Sequence, residues 1–294
     1  MRSGILLIDK PEGPSSAQVV HRVKFCLGAK KVGHLGTLDP FASGLLLLGI
    51  EEGTKIADVF LGASKSYRGV MALGVATDSQ DATGKIVETR PVPPLDAELL
   101  QSLAQQFTGA LQQVPPMYSA LKKDGVRLYR LARQGREVSR APRAVRVESL
   151  TLSQLSAAEV QLEVTCSSGT YVRTLAADMG AALGCGAHLK SLRRLCCGQL
   201  TLDRAVTLEA LERPRALSGE TFLPLAAALG HLSAVTWEQR WIARLRMGQQ
   251  EVLGQLGRPL AGETLLRILD KRGNLVALVE WGDVGWRLAR VFRE

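Results

Sequence analysis

The stretch 30-KKVGHLGTLDPFASGLLLLGI-50 joins a loop punctuated by glycines to a run of four leucines. The run that starts at Leu45 predicts a buried strand, and Asp39 lies shortly before it. Because Asp39 precedes Pro40, its backbone is pushed towards an extended conformation. An Asp-Pro pair is also common in turns. Glycines, however, let a backbone approach a ligand closely. Two interpretations therefore remain open: Asp39 is a turn residue, or it belongs with His34 to the wall of a site.

The segments on either side mix strands and helices without a regular strand–helix–strand period. The clearest strands lie at the start of 4-GILLIDKPEGPSS-16 and in 67-YRGVMALGV-75, 144-AVRVESLTL-152 and 159-EVQLEVTC-166. Helices are predicted from a cap at Ser15 or Ser16, from Thr54, from the cap Asp96, and over residues 170–184. This mixture predicts an α+β fold rather than a doubly wound parallel sheet.

The composition changes near 221-TFLPLAAALGHL-232. Beyond it, two apolar runs flank residues 271–274, which is a hairpin signal, and 284-VGWRLARVF-292 alternates as a strand does. We therefore expect two domains, a large one over residues 1–228 and a small, mainly β domain over residues 229–294.

The charge balance points to a polyanionic partner. The 294 residues include 37 Lys and Arg against 28 Asp and Glu, a net charge of +9. Residues 117–148, which we call the basic segment, carry nine of these cations and only three acids. One interpretation is a solvated helix face. Because Tyr118 and Tyr129 are interleaved with the cations and can stack on unpaired bases, we favour binding to RNA or DNA.

The apolar runs, the cysteine spacing and the absence of certain motifs argue against several classes of protein. No apolar run approaches the roughly 20 residues of a membrane-spanning helix, and the apolar patch near the N-terminus is too short for a secretory signal. The five cysteines form no C-x-x-C pair, which argues against a disulfide framework and a structural zinc site. There is no GxGxxG motif and no P-loop. We expect a cytoplasmic protein with reduced thiols.

Two further residues have both a structural and a functional interpretation. Tyr67 starts a predicted strand, where an aromatic ring is most often core packing. Arg173 lies in the first turn of a predicted helix, where the helix dipole disfavours a cation. Arg173 is therefore either a surface arginine or the partner of a buried carboxylate, for which Asp39 is the candidate.

Four segments, in this order and at this spacing, resemble those of the bacterial TruB-type tRNA pseudouridine-55 synthases. They are 33-GHLGTLDPFASGLLLLG-49, 65-KSYRGVMALGVATDSQDATG-84, 114-VPPMYSALKKDGVRLYRLARQG-135 and 166-CSSGTYVRTLAADMGAALGCGAHLKSLRR-194. The resemblance extends from about residue 4 to residue 211. One departure is Ser168, where the family pattern has a lysine.

The resemblance implies a pseudouridine synthase fold, with a mixed, largely antiparallel central sheet, flanking helices and a small C-terminal PUA-like domain that binds RNA. It implies that uridine 55 in the T loop of tRNA is flipped out and isomerised to pseudouridine without a cofactor or a metal. Asp39 matches the catalytic aspartate, Arg173 the arginine paired with it, and Tyr67 the tyrosine that packs against the target uracil. The positions assigned to substrate binding are His34, Tyr67, Tyr171, Leu192 and Lys10. The candidate contacts to the RNA backbone are Lys122, Lys123, Arg127, Arg130, Arg133, Arg193 and Arg194.

Three other functions compete with or add to this one. The chain could be a guide-RNA-dependent pseudouridine synthase subunit, or an RNA-binding module in which Asp39 is structural. A second role in refolding misfolded tRNA is compatible with catalysis. The compact chain without charged low-complexity tails favours a stand-alone enzyme that acts on the tRNA T arm without an obligatory protein partner and without a membrane. We expect a monomer, because one tRNA arm needs one cleft.

Overall fold

The computed structural model describes residues 3–211 and 221–293, which form nineteen strands, eight α-helices and three 3-10 helices. The strands are β1 (Gly4–Lys10), β2 (Val32–His34), β3 (Ser43–Ile50), β4 (Lys65–Leu73), β5 (Val75–Thr77), β6 (Ile86–Thr89), β7 (Gly109–Gln113), β8 (Lys122–Lys123), β9 (Val126–Arg127), β10 (Arg143–Gln154), β11 (Glu159–Cys166), β12 (Ala187–Cys197), β13 (Leu200–Thr201), β14 (Val206–Thr207), β15 (Phe222–Pro224), β16 (Ser233–Thr236), β17 (Leu265–Leu269), β18 (Leu275–Gly282) and β19 (Gly285–Val291). The α-helices are α1 (Ser16–Leu27), α2 (Ala57–Gly62), α3 (Ala97–Gln106), α4 (Leu128–Arg133), α5 (Val172–Ala182), α6 (Leu208–Leu211), α7 (Leu225–Ala228) and α8 (Gln239–Arg246). The 3-10 helices are Glu51–Ile56, Leu202–Arg204 and Gln250–Gln255.

One large mixed sheet organises the fold. Its main path runs β14-β1-β3-β12-β4-β11-β10-β7, with β2, β13 and β15 paired beside it. The β3–β12 and β1–β14 pairs are parallel, and the other pairs in this sheet are antiparallel. The prediction of an α+β fold with a mixed, largely antiparallel sheet is confirmed.

Strand β3 lies in the middle of this sheet and is covered on both faces. Leu46 and Leu48 belong to the buried cluster that α1, α3 and α5 complete. Leu45 and Leu47 point the other way, into a second buried cluster that contains Phe292 from the C-terminal part of the chain. Because side chains alternate along a strand, only a double-sided core buries four consecutive leucines.

Local sequence determines where the main helices begin and end. Ser15 caps α1 in a capping box, and Gly28 ends that helix in the left-handed conformation, with φ of 57°. Asp96 caps α3, as the sequence predicts. Helix α5 begins only at Val172, with Tyr171 as its N-terminal cap position.

Two details of the sequence-based prediction were wrong. The short helix predicted from Thr54 begins only at Ala57 as α2, and Thr54 itself lies in the preceding 3-10 helix, Glu51–Ile56. The strand predicted over residues 67–75 ends at Leu73, because Gly74 has φ of 84° and turns the chain into β5. Within the described residues, no helix is long and apolar enough to cross a membrane.

A second sheet, β16-β17-β18-β19, forms the C-terminal part together with α8. The hairpin predicted around residues 271–274 is the antiparallel β17–β18 pair. The guanidinium of Arg267 donates to the carbonyls of Leu232 (2.9 Å) and Ala226 (2.7 Å), so it ties β17 to the chain that enters this sheet. The division at residue 228 stays a prediction.

Candidate active site

The loop before β3 and the start of α5 bring Asp39 and Arg173 together. Arg173 Nε lies 2.9 Å from Asp39 Oδ2. The arginine side chain is 3% exposed, whereas that of the aspartate is 37% exposed. The ion pair therefore has a buried cation and a carboxylate that solvent or a substrate can reach.

A second carboxylate, which was not predicted from the sequence, holds the other side of Arg173. Asp81 Oδ2 lies 3.3 Å from Arg173 Nη1, and its side chain is buried. Its other oxygen accepts bonds from Ser79 Oγ (2.7 Å) and Thr83 Oγ1 (2.6 Å). In the sequence Asp81 lies in a polar turn beside Asp78, and nothing local distinguishes the two.

Two backbone oxygens also accept hydrogen bonds from Arg173. Its Nη1 donates to the Ser79 carbonyl and its Nη2 to the Tyr118 carbonyl, each at 2.8 Å. A guanidinium presents its donors in a rigid fork, so these contacts fix its position as well as its charge. Tyr118 belongs to the basic segment, which is thereby attached to the ion pair.

The protonation of Asp39 depends on opposing effects. Although its side chain is 37% exposed, loss of part of its hydration raises the pKa of Asp39 above its ordinary value, and the Arg173 cation opposes this increase. The negative charge of Asp81 raises the pKa further, while Lys10 lowers it. Asp39 is thus a carboxylate whose pKa is raised and whose ionised form depends on Arg173.

Tyr67 lies on β4, opposite Arg194 of β12 and Val164 of β11. Its side chain is half-buried and packs against the main buried cluster. Burial raises the pKa of Tyr67, with the Arg194 cation acting in the opposite direction, so the phenol is neutral at neutral pH.

Lys10 has no surface with which to contact a substrate, because it is 0% exposed. Its ammonium group donates to the carbonyls of Pro11 (2.7 Å), Pro14 (2.9 Å) and Pro40 (3.3 Å). Burial lowers the pKa of Lys10 to about 8, although Asp39 acts to raise it. The structure therefore places Lys10 beneath the loop that carries Asp39, where it holds the backbone.

The other predicted substrate-binding residues lie on three different elements. His34 is on β2, half-buried, with an Nδ1 atom that has no hydrogen-bond partner; burial lowers its pKa, and Arg194 and Arg127 lower it further. The backbone of Tyr171 is held by Gln113, which accepts from its N–H at 2.7 Å. Leu192 is 6% exposed and packs in the main buried cluster.

The cations predicted to contact RNA separate into two groups. The exposed ones in the basic segment are Lys122, Lys123, Arg127, Arg130 and Arg133, on β8, β9 and α4. On β12, Arg193 is partly exposed and pairs with Asp9 at 2.6 Å. Arg194 is 2% exposed and donates to three backbone carbonyls, so the prediction that it contacts phosphate is wrong. Ser168, the departure from the family pattern, is exposed in the loop before α5.

The fold defines the class of the protein first. The chain is similar over 99% of its length to the structure described as a Cbf5-Nop10-Gar1 complex, with a TM-score of 0.73, 25% identity and 84% of that chain covered. The structure of an H/ACA RNP bound to a substrate RNA containing 2′-deoxyuridine has the same fold, with a TM-score of 0.73, 23% identity, 99% of this chain and 85% of that chain covered. The fold is that of the pseudouridine synthases.

Sequence comparisons then identify the family. Residues 24–172 match the family model for the TruB family pseudouridylate synthase N-terminal domain, and residues 173–228 match that for the tRNA pseudouridylate synthase B C-terminal domain. The tRNA pseudouridine synthase B of Geobacter sulfurreducens is 43% identical over 98% of this chain and 99% of its own. That of Burkholderia mallei is 47% identical over 88% of this chain and 86% of its own. The chain belongs to the TruB family of pseudouridylate synthases and is an isomerase.

Proposed function

We propose that the protein converts uridine 55 in the T loop of tRNA to pseudouridine, with Asp39 as the catalytic carboxylate. The observation that carries this proposal is the ion pair in which a buried Arg173 holds an accessible Asp39 at 2.9 Å. The reaction breaks the bond from N1 to the sugar carbon C1′, rotates the uracil and joins C5 to C1′. N1 gains a proton and C5 loses one, so no other reactant is needed.

Asp39 must be ionised to act as a nucleophile or a base, and Arg173 favours that state against the effect of burial. The carboxylate can attack C1′, add to the base or remove a sugar proton. Each of these routes uses the same carboxylate in nearly the same position, and the proposal requires only that position.

Tyr67 is proposed to hold the flipped uracil. Extruding a nucleotide from folded RNA costs a few kcal/mol. Stacking of a base on an aromatic ring recovers about 1–3 kcal/mol. The neutral, half-buried phenol of Tyr67 presents such a ring from β4.

The exposed cations of the basic segment support an RNA substrate, because Lys and Arg bind backbone phosphates. The name of the relatives, tRNA pseudouridine synthase B, supports tRNA in particular. We place the enzyme in the cytoplasm, as a monomer without an obligatory protein partner, with residues 229–294 as a PUA-like RNA-binding domain.

The test is conversion of an unmodified T-arm stem–loop transcript by the purified protein, with pseudouridine mapped by carbodiimide labelling or mass spectrometry. We expect one pseudouridine at the position of uridine 55. Asp39→Asn should form no product while it binds the RNA within about tenfold of the wild-type affinity. The proposal is contradicted if the wild-type protein leaves the RNA unmodified. It is also contradicted if Asp39→Asn turns over at the wild-type rate.

The similarity to a Cbf5-Nop10-Gar1 complex supports one alternative, in which the protein acts as a subunit of a larger complex, as a guide-RNA-dependent synthase would. The relatives named tRNA pseudouridine synthase B are more similar in sequence, at 43–47% identity. Conversion of naked tRNA by the pure protein decides between the two. A separate role in tRNA refolding is tested with Asp39→Asn, which should still accelerate refolding of a misfolded tRNA if binding alone is sufficient.

A further inference from the structure

Arg194 lies at a crowded junction between three strands. In β12 it pairs with Gly44 of β3 on one side and with Tyr67 of β4 on the other. Gly44 has φ of 98°, and a Cβ atom there would overlap the Arg194 carbonyl oxygen. The glycine therefore allows β12 to approach β3 at this point, which brings the Arg194 side chain under the loop that precedes β3.

The guanidinium of Arg194 joins the two ends of residues 36–45, a segment that includes the first three residues of β3 and that we call the 36–45 loop. Its Nη2 donates to the Gly36 carbonyl and its Nη1 to the Thr37 carbonyl, each at 3.3 Å. Its Nε donates to the Leu45 carbonyl at 2.7 Å. Asp39 lies between these anchor points. A planar fork of donors can make these three contacts at once, whereas an ammonium group acts as a point charge.

Other contacts hold the middle of the same loop. Ser16 Oγ donates to the Leu38 carbonyl at 2.8 Å and accepts from the Leu38 N–H at 2.9 Å. The Pro40 carbonyl accepts from Lys10 Nζ and from the Gly13 N–H. The carbonyls on both sides of Asp39 are thus fixed, and Arg194 fixes the two ends of the loop.

The charge of Arg194 is unusual for a buried position. Within residues 3–211 and 221–293, no carboxylate forms an ion pair with it. Burying a cation without a carboxylate is unfavourable, so the hydrogen bonds of Arg194 to three backbone carbonyls have to offset that cost. Exposure of 2% leaves no surface for an RNA phosphate. The contacts that remain to explain the arginine are those with the loop and with Tyr67.

We propose that Arg194 is a positioning residue for the isomerisation. It fixes both ends of the 36–45 loop so that Asp39 stays within hydrogen-bonding distance of Arg173, and it sets the position of Tyr67 across the same strand pair. The inference rests on the proposed function, because the carboxylate that is positioned is the proposed catalytic one.

The test compares Arg194→Lys, which keeps the charge but removes the fork, and Arg194→Met, which keeps the length, with the control Arg68→Lys. Arg68 follows Tyr67 on β4, is exposed and pairs with Glu163 at 2.8 Å, outside the site. Single-turnover conversion and RNA affinity are measured for each variant between pH 5 and pH 9. Wild-type turnover in the same assay tests the proposed function separately.

We expect both Arg194 variants to bind RNA with a Kd within about threefold of wild type and to turn over about 100-fold more slowly, because a misplacement of about 1 Å can have that effect. Turnover decreases on the acid side of the pH profile as Asp39 becomes protonated, and we call this decrease the acid limb. In the Arg194 variants the acid limb should move to higher pH. Asp39 is faced by Arg173 of α5, Asp81 of the β5–β6 turn and Lys10 of β1, and a looser loop weakens the first of these contacts. A decrease in stability alone would not move this limb in the molecules that remain folded.

Turnover of the Arg194 variants equal to that of Arg68→Lys overturns the proposal. So does a decrease confined to RNA affinity, which would indicate a phosphate contact. If both variants fail to fold, Ser16→Ala loosens the same loop at Leu38 and leaves Arg194 in place. In Ser16→Ala the acid limb should also move to higher pH, with a smaller decrease in turnover than in the Arg194 variants. An unchanged acid limb in Ser16→Ala then overturns the proposal.

Discussion

At the scale of single residues, Arg173 is the fixed point of the site and Asp39 its accessible partner. Asp81 and two backbone carbonyls fix the guanidinium from the buried side. The remaining contact is the one to Asp39, whose ionised form is disfavoured by burial and by the nearby charge of Asp81. The proposed mechanism requires the ionised form of Asp39, and ionisation in these surroundings should reduce the stability of the fold.

The first prediction is that Asp39→Asn is more stable than the wild type at neutral pH. The folded pKa of Asp39 is raised above its ordinary value, so the unfolded chain releases this proton first as the pH increases. Ionisation of Asp39 therefore disfavours folding at neutral pH, and the effect disappears below the ordinary carboxylate pKa. Asn keeps the size without the charge. Thermal melting at pH 7 should show a higher Tm for the variant, with the difference shrinking towards pH 4.

Asp283→Asn is the control for this prediction, because Asp283 is exposed in the turn between β18 and β19. Its Tm should equal that of the wild type at both pH values. A lower Tm for Asp39→Asn at pH 7 would mean that the ion pair with Arg173 outweighs the unfavourable burial, contrary to the direction of the pKa shift.

The second prediction concerns Asp81→Asn, which removes a negative charge near Asp39 and one anchor of Arg173. Because Asp81 raises the pKa of Asp39, the acid limb of turnover should move to lower pH. The plateau should fall by about tenfold or more, since Arg173 is less well positioned. Asp78→Asn, in the same turn, is the matched control. An acid limb that moves upward would show that positioning of Arg173 outweighs the removed charge.

At the scale of elements, the sequence predicts strands and helices whose signals are local. The capping box of α1, the Asp96 cap of α3 and the alternation in β11 all follow from neighbouring residues. Strand β12 gives no such signal, although it lies in the middle of the sheet. Its sequence, AHLKSLRRLCC, contains a buried arginine. Because a charged residue normally indicates an exposed position, it interrupts the apolar pattern by which a buried strand is predicted.

The same limit applies to the site. The pairing of Asp39 with Arg173 is predicted, since a cation at the start of a helix needs an anion. The resemblance to the TruB family directs attention to both residues. Asp81 and Arg194 were missed or misassigned because a turn acid and an arginine look like surface residues until their partners, ninety or more positions away, are known.

The third prediction belongs to the basic segment as an element. The double variant Lys122→Gln and Arg130→Gln removes two exposed cations from β8 and α4. RNA affinity should fall. The slope of log Kd against log salt concentration counts the phosphates that the protein neutralises, so it should decrease by about one for each lost contact between a cation and a phosphate. Titration of labelled T-arm RNA at several salt concentrations measures both quantities.

Lys190→Gln provides the control for this slope. Lys190 is exposed on β12 and is already paired with Glu159, away from the basic segment. Its salt slope should equal that of the wild type. An equal decrease in both proteins would mean that overall charge, rather than the basic segment, attracts the RNA.

At the scale of the whole molecule, the C-terminal sheet completes an apolar core that it shares with the large sheet. Leu278 and Phe292 are buried in the same apolar cluster as Leu7, Leu45 and Leu47 of β1 and β3. Polar contacts cross the same boundary, among them Arg290 with Asp58 at 3.2 Å and Lys55 Nζ with the Val291 carbonyl at 3.0 Å. Strand β3, which follows the loop that carries Asp39, therefore packs against residues from both ends of the chain.

The fourth prediction is that the two parts unfold together. The four tryptophans, Trp237, Trp241, Trp281 and Trp286, all lie beyond residue 228, so their fluorescence reports only the C-terminal part. Cys166 is 1% exposed in β11, and pulse labelling of its thiol reports unfolding of the large sheet. In urea both transitions should coincide, because a shared apolar cluster makes unfolding cooperative.

Phe292→Ala should move both transitions to lower urea concentration, by about 3–5 kcal/mol in free energy of unfolding, because it leaves a cavity between the two sheets. Val284→Ala, at a side chain that is 99% exposed, should move neither. If the tryptophan transition alone moves, the C-terminal part unfolds independently and strand β3 stays folded without it. In that case the face of β3 that carries Leu45 and Leu47 would be exposed in the partly unfolded protein. This partly unfolded protein should aggregate through that face.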